Sequence, residues 1–340
     1  SVAVIAQPNW HTTQDFMRFG CPRLAFLVTG GNIDSMVAHY TSAKRKRNSD
    51  LYSPGGKAGL RPDRAVITYC RKIREAYPDA AIAIGGLEAS LRRFAHYDYW
   101  DDKVRRPILF DAPADLLVYG MGETATKEIA RRLSQKVPVG DITDVRGTAF
   151  IASDPAKCIY RPVTVPSYES VREDKKAYAE ATKLQYDEND PIRGCGVVQP
   201  CEGRYLIANP PQRPLPREEL DRLYDLPFVR EVHPMYKEPV PAIEEVRFSI
   251  AHNRGCFGGC NFCALTFHQG RMVTSRSIES VVREAEILTE DPQFKGYIHD
   301  VGGPSATFRR AAGKPVLISP GITAHTVMPK GRSSFPNAMV

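Results

Sequence analysis

The stretch Cys256-Phe-Gly-Gly-Cys260-Asn-Phe-Cys263 places three cysteines close together at C-x3-C-x2-C spacing. Cysteine thiolates are the usual ligands of iron-sulfur clusters, so these three can hold three irons of a 4Fe-4S cluster. Because the stretch has no fourth cysteine, one iron stays open, as a catalytic metal centre requires. The glycines between the first two cysteines suit a loop that wraps tightly round a bulky group.

Two other interpretations of these cysteines remain open. A structural zinc site needs four ligands, and His268, five positions after Cys263, could be the fourth. Zinc sites usually consist of paired C-x2–4-C units separated by a longer loop, which differs from this spacing. Three free thiols in a core segment would be the third interpretation, and the interleaved glycines disfavour it. The spacing therefore favours an iron-sulfur cluster.

The residues around the cysteines alternate between strand and helix patterns. Val246 to Ile250 alternates apolar and polar residues, which predicts a strand that ends just before the cysteines. Parallel α/β barrels place their active sites at that end of their strands. Ser277 opens a predicted helix, and Gly296 to Val301 is a second predicted strand, closed by Gly302-Gly303. The helix has one apolar face, formed by Ile278, Val281, Val282, Ala285 and Leu288.

This order of strand, cysteine loop, helix, strand and Gly-Gly resembles the start of a barrel in the radical S-adenosylmethionine (SAM) superfamily. A narrower resemblance, to the YgiQ-like radical SAM family, covers about residues 1 to 310. The stretches that support it are Ala6-Gln-Pro-Asn-Trp10, Gly85-Gly-Leu-Glu-Ala-Ser-Leu-Arg-Arg93, Phe248 to Arg271, Thr274-Ser-Arg-Ser277 and Asp300-Val-Gly-Gly-Pro304.

The resemblance implies roles for individual residues. Cys256, Cys260 and Cys263 would ligate the cluster. Phe262 would pack near the adenine of SAM, and Gly302 and Gly303 would contact its amino group. The implied chemistry is reductive cleavage of SAM to a 5′-deoxyadenosyl radical, with electrons from a reductant such as flavodoxin or ferredoxin. The family resemblance names no substrate, and the catalytic residues beyond the cofactor site stay unknown.

The first 150 residues alternate apolar strands with helices. The predicted strands are Val2–Ala6, Leu24–Val28, Ala80–Ile84 and Asp115–Tyr119, and the predicted helices are Arg64–Ala76 and Glu123–Leu133. This alternation predicts a doubly wound parallel, Rossmann-like sheet. The segment is similar to the cobalamin-binding-like domains that precede many radical SAM barrels. It lacks the Asp-x-His-x-x-Gly loop that supplies a cobalamin ligand, so we expect no cobalamin.

We therefore predict an α/β protein with three parts. Residues 1–150 form the sheet domain, residues 151–243 an irregular Pro-rich connector, and residues 244–340 a partial radical SAM (β/α) barrel. The chain begins without Met, and the resemblance fades after Arg310, so we expect a piece of a longer protein. A barrel lacking later strands would lack substrate contacts, so we expect that this chain alone is not a competent enzyme.

Composition restricts the protein class. Hydrophobic and charged residues make up 42% and 25% of the chain, as in ordinary globular proteins, and no apolar run is long enough to span a membrane. The five cysteines outside the motif are scattered, which is typical of the reducing cytosol. The net charge of +7 and the run Lys44-Arg-Lys-Arg47 leave nucleic acid as a less favoured partner.

Overall fold

The computed structural model describes residues 1–258, 260 and 262–303. Its strands are β1 Phe26–Thr29, β2 Ile82–Gly85, β3 His96–Asp98, β4 Lys103–Arg105, β5 Leu116–Val118, β6 Thr148–Ala152, β7 Pro162–Thr164, β8 Gly196–Cys201, β9 Arg204–Ala208, β10 Ser249–Ala251, β11 Asn253–Arg254, β12 Thr274–Ser275 and β13 Asp300–Gly302. Its α-helices are α1 Gln14–Met17, α2 Ser35–His39, α3 Ala65–Ala76, α4 Gly86–Leu91, α5 Ile108–Asp111, α6 Glu123–Ser134, α7 Tyr168–Glu173, α8 Lys175–Asp187, α9 Arg217–Tyr224, α10 Ile243–Val246, α11 Leu265–Gln269 and α12 Ile278–Thr289.

Within the described ranges, seven strands form one sheet in the order β1-β2-β5-β6-β9-β8-β7. The pairs β1–β2 and β2–β5 are parallel, as the sequence predicts, and the α/β fold class is confirmed. From β5 onward the sheet differs from a fully parallel one, because β6, β9 and β8 pair antiparallel and only β7 and β8 are parallel. The connection between β8 and β9 has two residues, which permits only an antiparallel pair.

The sheet is covered on both faces. Successive residues of a strand point to opposite faces, and neighbours such as Leu116 and Leu117 of β5 accordingly belong to separate hydrophobic clusters. Helix α3 packs in the cluster that contains Leu117, and α6 packs in the one that contains Leu116. Helices on both faces are the arrangement expected of a doubly wound sheet.

Two sequence-based predictions for this region differ from the structure. Val2–Ala6 is not a strand: Val2 is 90% exposed, and β1 forms that edge of the sheet instead. The segment predicted as an irregular connector supplies β7, β8 and β9 to the sheet. Their turn is Glu202-Gly203, with both φ angles positive, which is the two-residue hairpin geometry that matches the twist of the strands.

A smaller unit follows the sheet. Strands β10 and β13 pair in parallel with α12 between them, in the predicted order strand-helix-strand, but β10 begins at Ser249 and the predicted first residue, Val246, ends α10. Ser277 caps α12, because its Oγ accepts a hydrogen bond from the Ser280 backbone N–H at 3.0 Å. Phe248, Ile250 and Leu288 form its small core. The predicted tail from 311 to 340 lies outside the described residues. None of the helices in the described ranges has the length and apolar character needed to cross a membrane.

Candidate iron-sulfur and SAM site

The cysteine loop leaves the small unit through a tight turn at Gly255. Its φ of 81° lies in the left-handed region that favours glycine. A side chain at this position would also overlap the carbonyl oxygen of Met272. The next residue, Cys256, donates its backbone N–H to the carbonyl oxygen of Gly270 at 3.1 Å. These contacts fix the direction in which the loop starts.

The three cysteines differ in exposure along the loop. Cys256 is buried, Cys263 is half-buried and Cys260 is exposed. A Cβ atom on Gly258 would lie 3.3 Å from the Cys256 sulfur and 3.7 Å from the Cys260 sulfur, so both sulfurs approach this glycine. The absent side chain therefore leaves room beside two thiols, as a bulky inorganic cluster needs.

No group of three His, Cys, Asp or Glu side chains converges to metal-binding geometry within residues 1–258, 260 and 262–303. Within these residues, neither the three cysteines nor His268, the fourth ligand of the zinc interpretation, belongs to such a group. The sequence motif itself, three cysteines at C-x3-C-x2-C spacing without a fourth, fits an iron-sulfur cluster better than a closed four-ligand zinc site. That the cysteines bind a cluster stays a prediction.

The predicted Gly-Gly contact lies at the carboxyl end of β13. The backbone N–H of His252 donates to the carbonyl oxygen of Gly302 at 2.8 Å, which extends the pairing of β10 with β13 by one residue. The strand ends therefore bring Gly302 and Gly303 beside the residues that lead into the cysteine loop. Phe262, predicted to pack near adenine, is 92% exposed. Its role and those of the glycines stay predictions.

Asn253 is a residue of this site that the sequence did not single out. It is buried, and its side chain lies where a Cβ atom of Gly303 would be. Neither polar atom of its carboxamide has a hydrogen-bond partner in the part of the chain that the structure describes. Its burial depends on Gly303, fifty residues away in the sequence, so no local pattern could have identified it.

The sheet domain holds the helix that follows the third cysteine. Asn189 donates its Nδ2 to the carbonyl oxygen of Thr266 at 2.9 Å. The guanidinium of Arg93 lies 4.2 Å from the ring centroid of Phe267 and 4.5 Å from that of Tyr119. Burial lowers the pKa of Arg93 to about 10. Aromatic rings stabilise such a cation, and here they join α11 to the sheet.

Other basic residues near the loop also make contacts within the protein. Arg254 forms an ion pair with Glu123 at 2.6 Å, and Arg271 lies 3.5 Å from the ring centroid of Tyr186. Arg276 pairs with Glu284 in the small unit. Burial, with a contribution from the charge of Arg93, lowers the pKa of His268 to about 4. The contacts of these arginines are therefore structural, since they pack the loop and the small unit within the protein.

The motif Gly85 to Arg93 has a structural function in the sheet domain. Glu88 accepts hydrogen bonds from the backbone N–H groups of Ser35 and Val66, each at 3.0 Å, and so satisfies the starts of α2 and α3. Arg92 pairs with Asp34. In the acidic and aromatic run from 94 to 102, Asp98 and Asp101 both pair with Arg64 at 2.9 Å. These contacts explain the motif without a ligand.

Comparison with known proteins identifies the family of this chain. Residues 1–249 match the radical SAM N-terminal family. The chain belongs to this family. Its curated relatives are UPF0313 proteins, which confirms the YgiQ-like resemblance. The chain is 55% identical over 316 residues to a UPF0313 protein of Clostridium botulinum, and 55% identical over 318 residues to one of Clostridium perfringens.

These alignments cover 92% and 93% of this chain but only 49% and 48% of the relatives. This radical SAM N-terminal family member thus spans about half the length of the curated relatives it matches. Among solved structures, it is similar to the radical SAM methyltransferase TsrM from Kitasatospora setae with cobalamin and a [4Fe-4S] cluster bound. The identity is 19% and the TM-score 0.40, with 81% of this chain and 37% of that chain covered.

Proposed function

We propose that this chain carries the cofactor site of a radical SAM enzyme. The observation that supports it most is the position of the cysteine loop. The loop leaves the carboxyl end of β10, beside the Gly302-Gly303 end of the parallel strand β13. Parallel α/β barrels assemble their active sites at this edge of the strands. Family membership agrees with this proposal.

In this proposal Cys256, Cys260 and Cys263 hold the cluster, which, when bound together with SAM, supplies the electron that cleaves SAM to methionine and a 5′-deoxyadenosyl radical. Gly302 and Gly303 let the SAM amino group approach the backbone, and Phe262 closes over the adenine. The arginine contacts of α11 hold the loop against the sheet domain. Flavodoxin or ferredoxin as reductant, a cytosolic location and the lack of cobalamin stay predictions.

The test is to reconstitute the chain with iron and sulfide without oxygen, and to measure bound iron and 5′-deoxyadenosine after reduction with SAM present. We expect full cluster loading and SAM cleavage in the wild type. Cys256→Ala, Cys260→Ala and Cys263→Ala should each abolish cleavage, because each removes one iron ligand. The matched control is Cys21→Ala, since Cys21 is an exposed cysteine outside the loop.

Three results would separate the alternatives. Bound zinc without iron after oxygen-free purification would favour a non-catalytic zinc module. A cluster that binds but never cleaves SAM, in this chain and in a longer form that includes the rest of the barrel, would favour a non-catalytic iron-sulfur scaffold. Cleavage that survives all three cysteine substitutions would contradict the proposal.

A second candidate, an RNA-modifying radical SAM enzyme, gains support from one surface. Lys44, Arg45, Lys46 and Arg47 are exposed, and the Lys44 amine lies 4.7 Å from the ring centroid of Tyr99. Tyr97 and Tyr99 are both more than 40% exposed. Exposed aromatic rings beside cations are typical of surfaces that bind single-stranded nucleic acid, because bases stack on the rings.

This candidate predicts salt-sensitive binding of single-stranded RNA. Fluorescence anisotropy with a short labelled RNA should show binding that is lost when residues 44 to 47 are all changed to Ala. Changing Lys175 and Lys176 to Ala, two exposed cations of α8, is the control and should leave binding intact. Equal losses in both variants, or no binding at low salt, would dismiss the RNA candidate.

A further inference from the structure

The backbone of Asn253 is held from two sides at the edge of the proposed cofactor site. Its neighbour His252 donates to Gly302 and accepts from the backbone N–H of Arg276, both at 2.8 Å. Asn253 itself pairs with Ser275 in the β11–β12 ladder. The direction of its side chain is therefore fixed by strand pairing on both flanks.

That side chain lies against Gly303. A Cβ atom added to Gly303 would overlap the Oδ1, Nδ2 and Cγ atoms of Asn253. The φ of Gly303 is not in the left-handed region, so backbone conformation does not require glycine here. Glycine is required instead because the Asn253 carboxamide occupies the space that a side chain of residue 303 would need. Asn253 and Gly303 thus form one structural unit at the strand ends.

The Asn253 carboxamide is buried without a hydrogen-bond partner among the described residues, whereas nearly all buried polar groups in proteins have at least one. Asn253 is 2% exposed, and within the described residues both its Oδ1 and its Nδ2 lack a hydrogen-bond partner. A buried donor and acceptor left without partners destabilise the folded chain. Such groups need an explanation, and a bound ligand that supplies both partners is one.

SAM offers the matching groups. Its amino acid part carries an ammonium, which donates hydrogen bonds, and a carboxylate, which accepts them. A carboxamide provides one acceptor and one pair of donors side by side. We infer that Asn253 is a SAM-binding residue whose carboxamide hydrogen-bonds the amino acid part of SAM beside Gly303. This inference rests on the proposed function and adds a residue that positions SAM.

The test compares SAM affinity with stability in the reconstituted chain. The dissociation constant for SAM is measured by equilibrium dialysis with the cluster oxidised, so that no turnover occurs. We expect Asn253→Leu to weaken SAM binding at least tenfold with cluster loading unchanged. Because Leu replaces unpartnered polar atoms by apolar ones of similar volume, the unfolding temperature without SAM should stay the same or rise.

Asn209→Ala is the matched control. Asn209 is also buried, but its Nδ2 donates to the carbonyl oxygens of Thr143 and Val145, both at 2.9 Å, in the sheet domain. Its replacement should lower the unfolding temperature and leave the SAM affinity of the folded chain unchanged. Asn253→Ser, which is small, repeats the affinity measurement if Asn253→Leu does not fold.

The outcomes separate the inference from the proposed function. Wild-type SAM binding that is equally tight in both Asn253 variants would overturn the inference and leave the proposed function standing. A fully loaded wild-type cluster that binds no SAM would overturn both. A fall in stability of Asn253→Leu with unchanged SAM affinity would show that the carboxamide serves the fold alone.

Discussion

The seven-stranded sheet and the β10–α12–β13 unit differ in how they bury their residues. Strands β2, β5 and β9 have side chains covered on both faces of the sheet. The smaller unit has a core of three buried hydrophobic residues among those described, while Val246, Val282 and Ile287 of its helices stay about half exposed. Apolar burial is the main source of stability, so we expect the sheet to be the more stable region.

The two regions also differ in their polar groups. Of nine buried polar side-chain atoms without a hydrogen-bond partner within the described residues, five lie between His252 and Arg271. The sheet satisfies its buried polar groups more fully, as Glu88 does at two helix starts. We therefore expect the sheet to provide most of the stability of the fold, whereas most of the buried polar atoms without a partner, among the residues described, lie where we propose that cofactors bind.

The largest expected effect comes from the ion pairs inside the smaller unit. Glu284 pairs with Arg230 at 2.6 Å and with Arg276, whose side chain is fully buried. Glu284→Leu leaves that guanidinium buried and uncompensated, which should cost about 3–5 kcal/mol locally. Hydrogen exchange should rise in α12 and β10 but not in β2 or β5.

Arg283→Leu is the control for that prediction. Arg283 lies on the same helix, and its pair with Asp225 at 2.9 Å is exposed to solvent. Exposed pairs contribute about 0–1 kcal/mol, so exchange in α12 should hardly change. Equal effects of the two substitutions would show that the smaller unit does not depend on its buried charges.

The second prediction compares two buried isoleucines. Ile207 of β9 and Ile250 of β10 are both at most 1% exposed. Ile207→Ala should lower the free energy of unfolding of the sheet by about 2–5 kcal/mol, because it leaves a cavity in the hydrophobic cluster that contains Leu116. Ile250→Ala should unfold only the smaller unit. Both tryptophans, Trp10 and Trp100, precede residue 208, so their fluorescence reports on the sheet domain during urea unfolding.

A sheet transition that moves equally in both variants would contradict the comparison, because it would mean that the two regions unfold as one. Hydrogen exchange in β10 and β13 provides the second observable for the smaller unit. It should increase in Ile250→Ala while the fluorescence transition keeps its midpoint.

Much of this fold is predictable from local sequence. The apolar runs around residues 26, 82 and 116 form parallel strands, and the helix predicted from Arg64 to Ala76 is observed from Ala65 to Ala76. The strands β7 to β9 are not predictable in this way, because β8 contains Gln199 and Pro200. Gln199 is fully buried, and its side chain bonds Ala95 and Pro166. The sequence alone does not show which distant residues Gln199 contacts.

The candidate site likewise contains residues that the sequence identifies and residues that it does not. The three cysteines and Gly302-Gly303 stand out by spacing, since the chemistry of a metal ligand depends on residue type. Asn253 and Arg93 do not stand out. Their environments form only when distant segments meet: Gly303 for the carboxamide, and the rings of Tyr119 and Phe267 for the guanidinium.

A third prediction concerns Gly303 in the smaller unit. Gly303→Ala should lower the free energy of unfolding of that unit by about 1–3 kcal/mol, because the new methyl group overlaps the Asn253 carboxamide. Adding Asn253→Ala should restore most of the loss by freeing the space. Gly140→Ala is the control, since nothing lies within 4 Å of its Cβ position. A double variant no more stable than Gly303→Ala would disprove the contact.

A fourth prediction is a pH dependence shared by both regions. Burial lowers the pKa of His96 in the sheet domain and of His268 in helix α11 to about 4. Unfolded histidine has a pKa of about 6.5. Between these values only the unfolded chain takes up the proton, so stability falls as the pH drops from 7 to 5, by up to about 1 kcal/mol per pH unit for each histidine.

Urea unfolding of the sheet domain at pH 7 and pH 5 measures this effect. His96→Gln should reduce the difference between the two pH values, because glutamine does not titrate. An unchanged difference in His96→Gln would assign the pH dependence to other groups.

Mössbauer spectroscopy of the chain reconstituted with ⁵⁷Fe, recorded with and without SAM, tests the central claim most directly. Three cysteine ligands leave one iron of the cluster different from the others. We therefore predict that SAM changes the signal of one iron in each cluster and leaves the remaining three nearly unaltered. Four irons that stay equivalent and do not respond to SAM, or a chain that holds zinc and no iron, would contradict it.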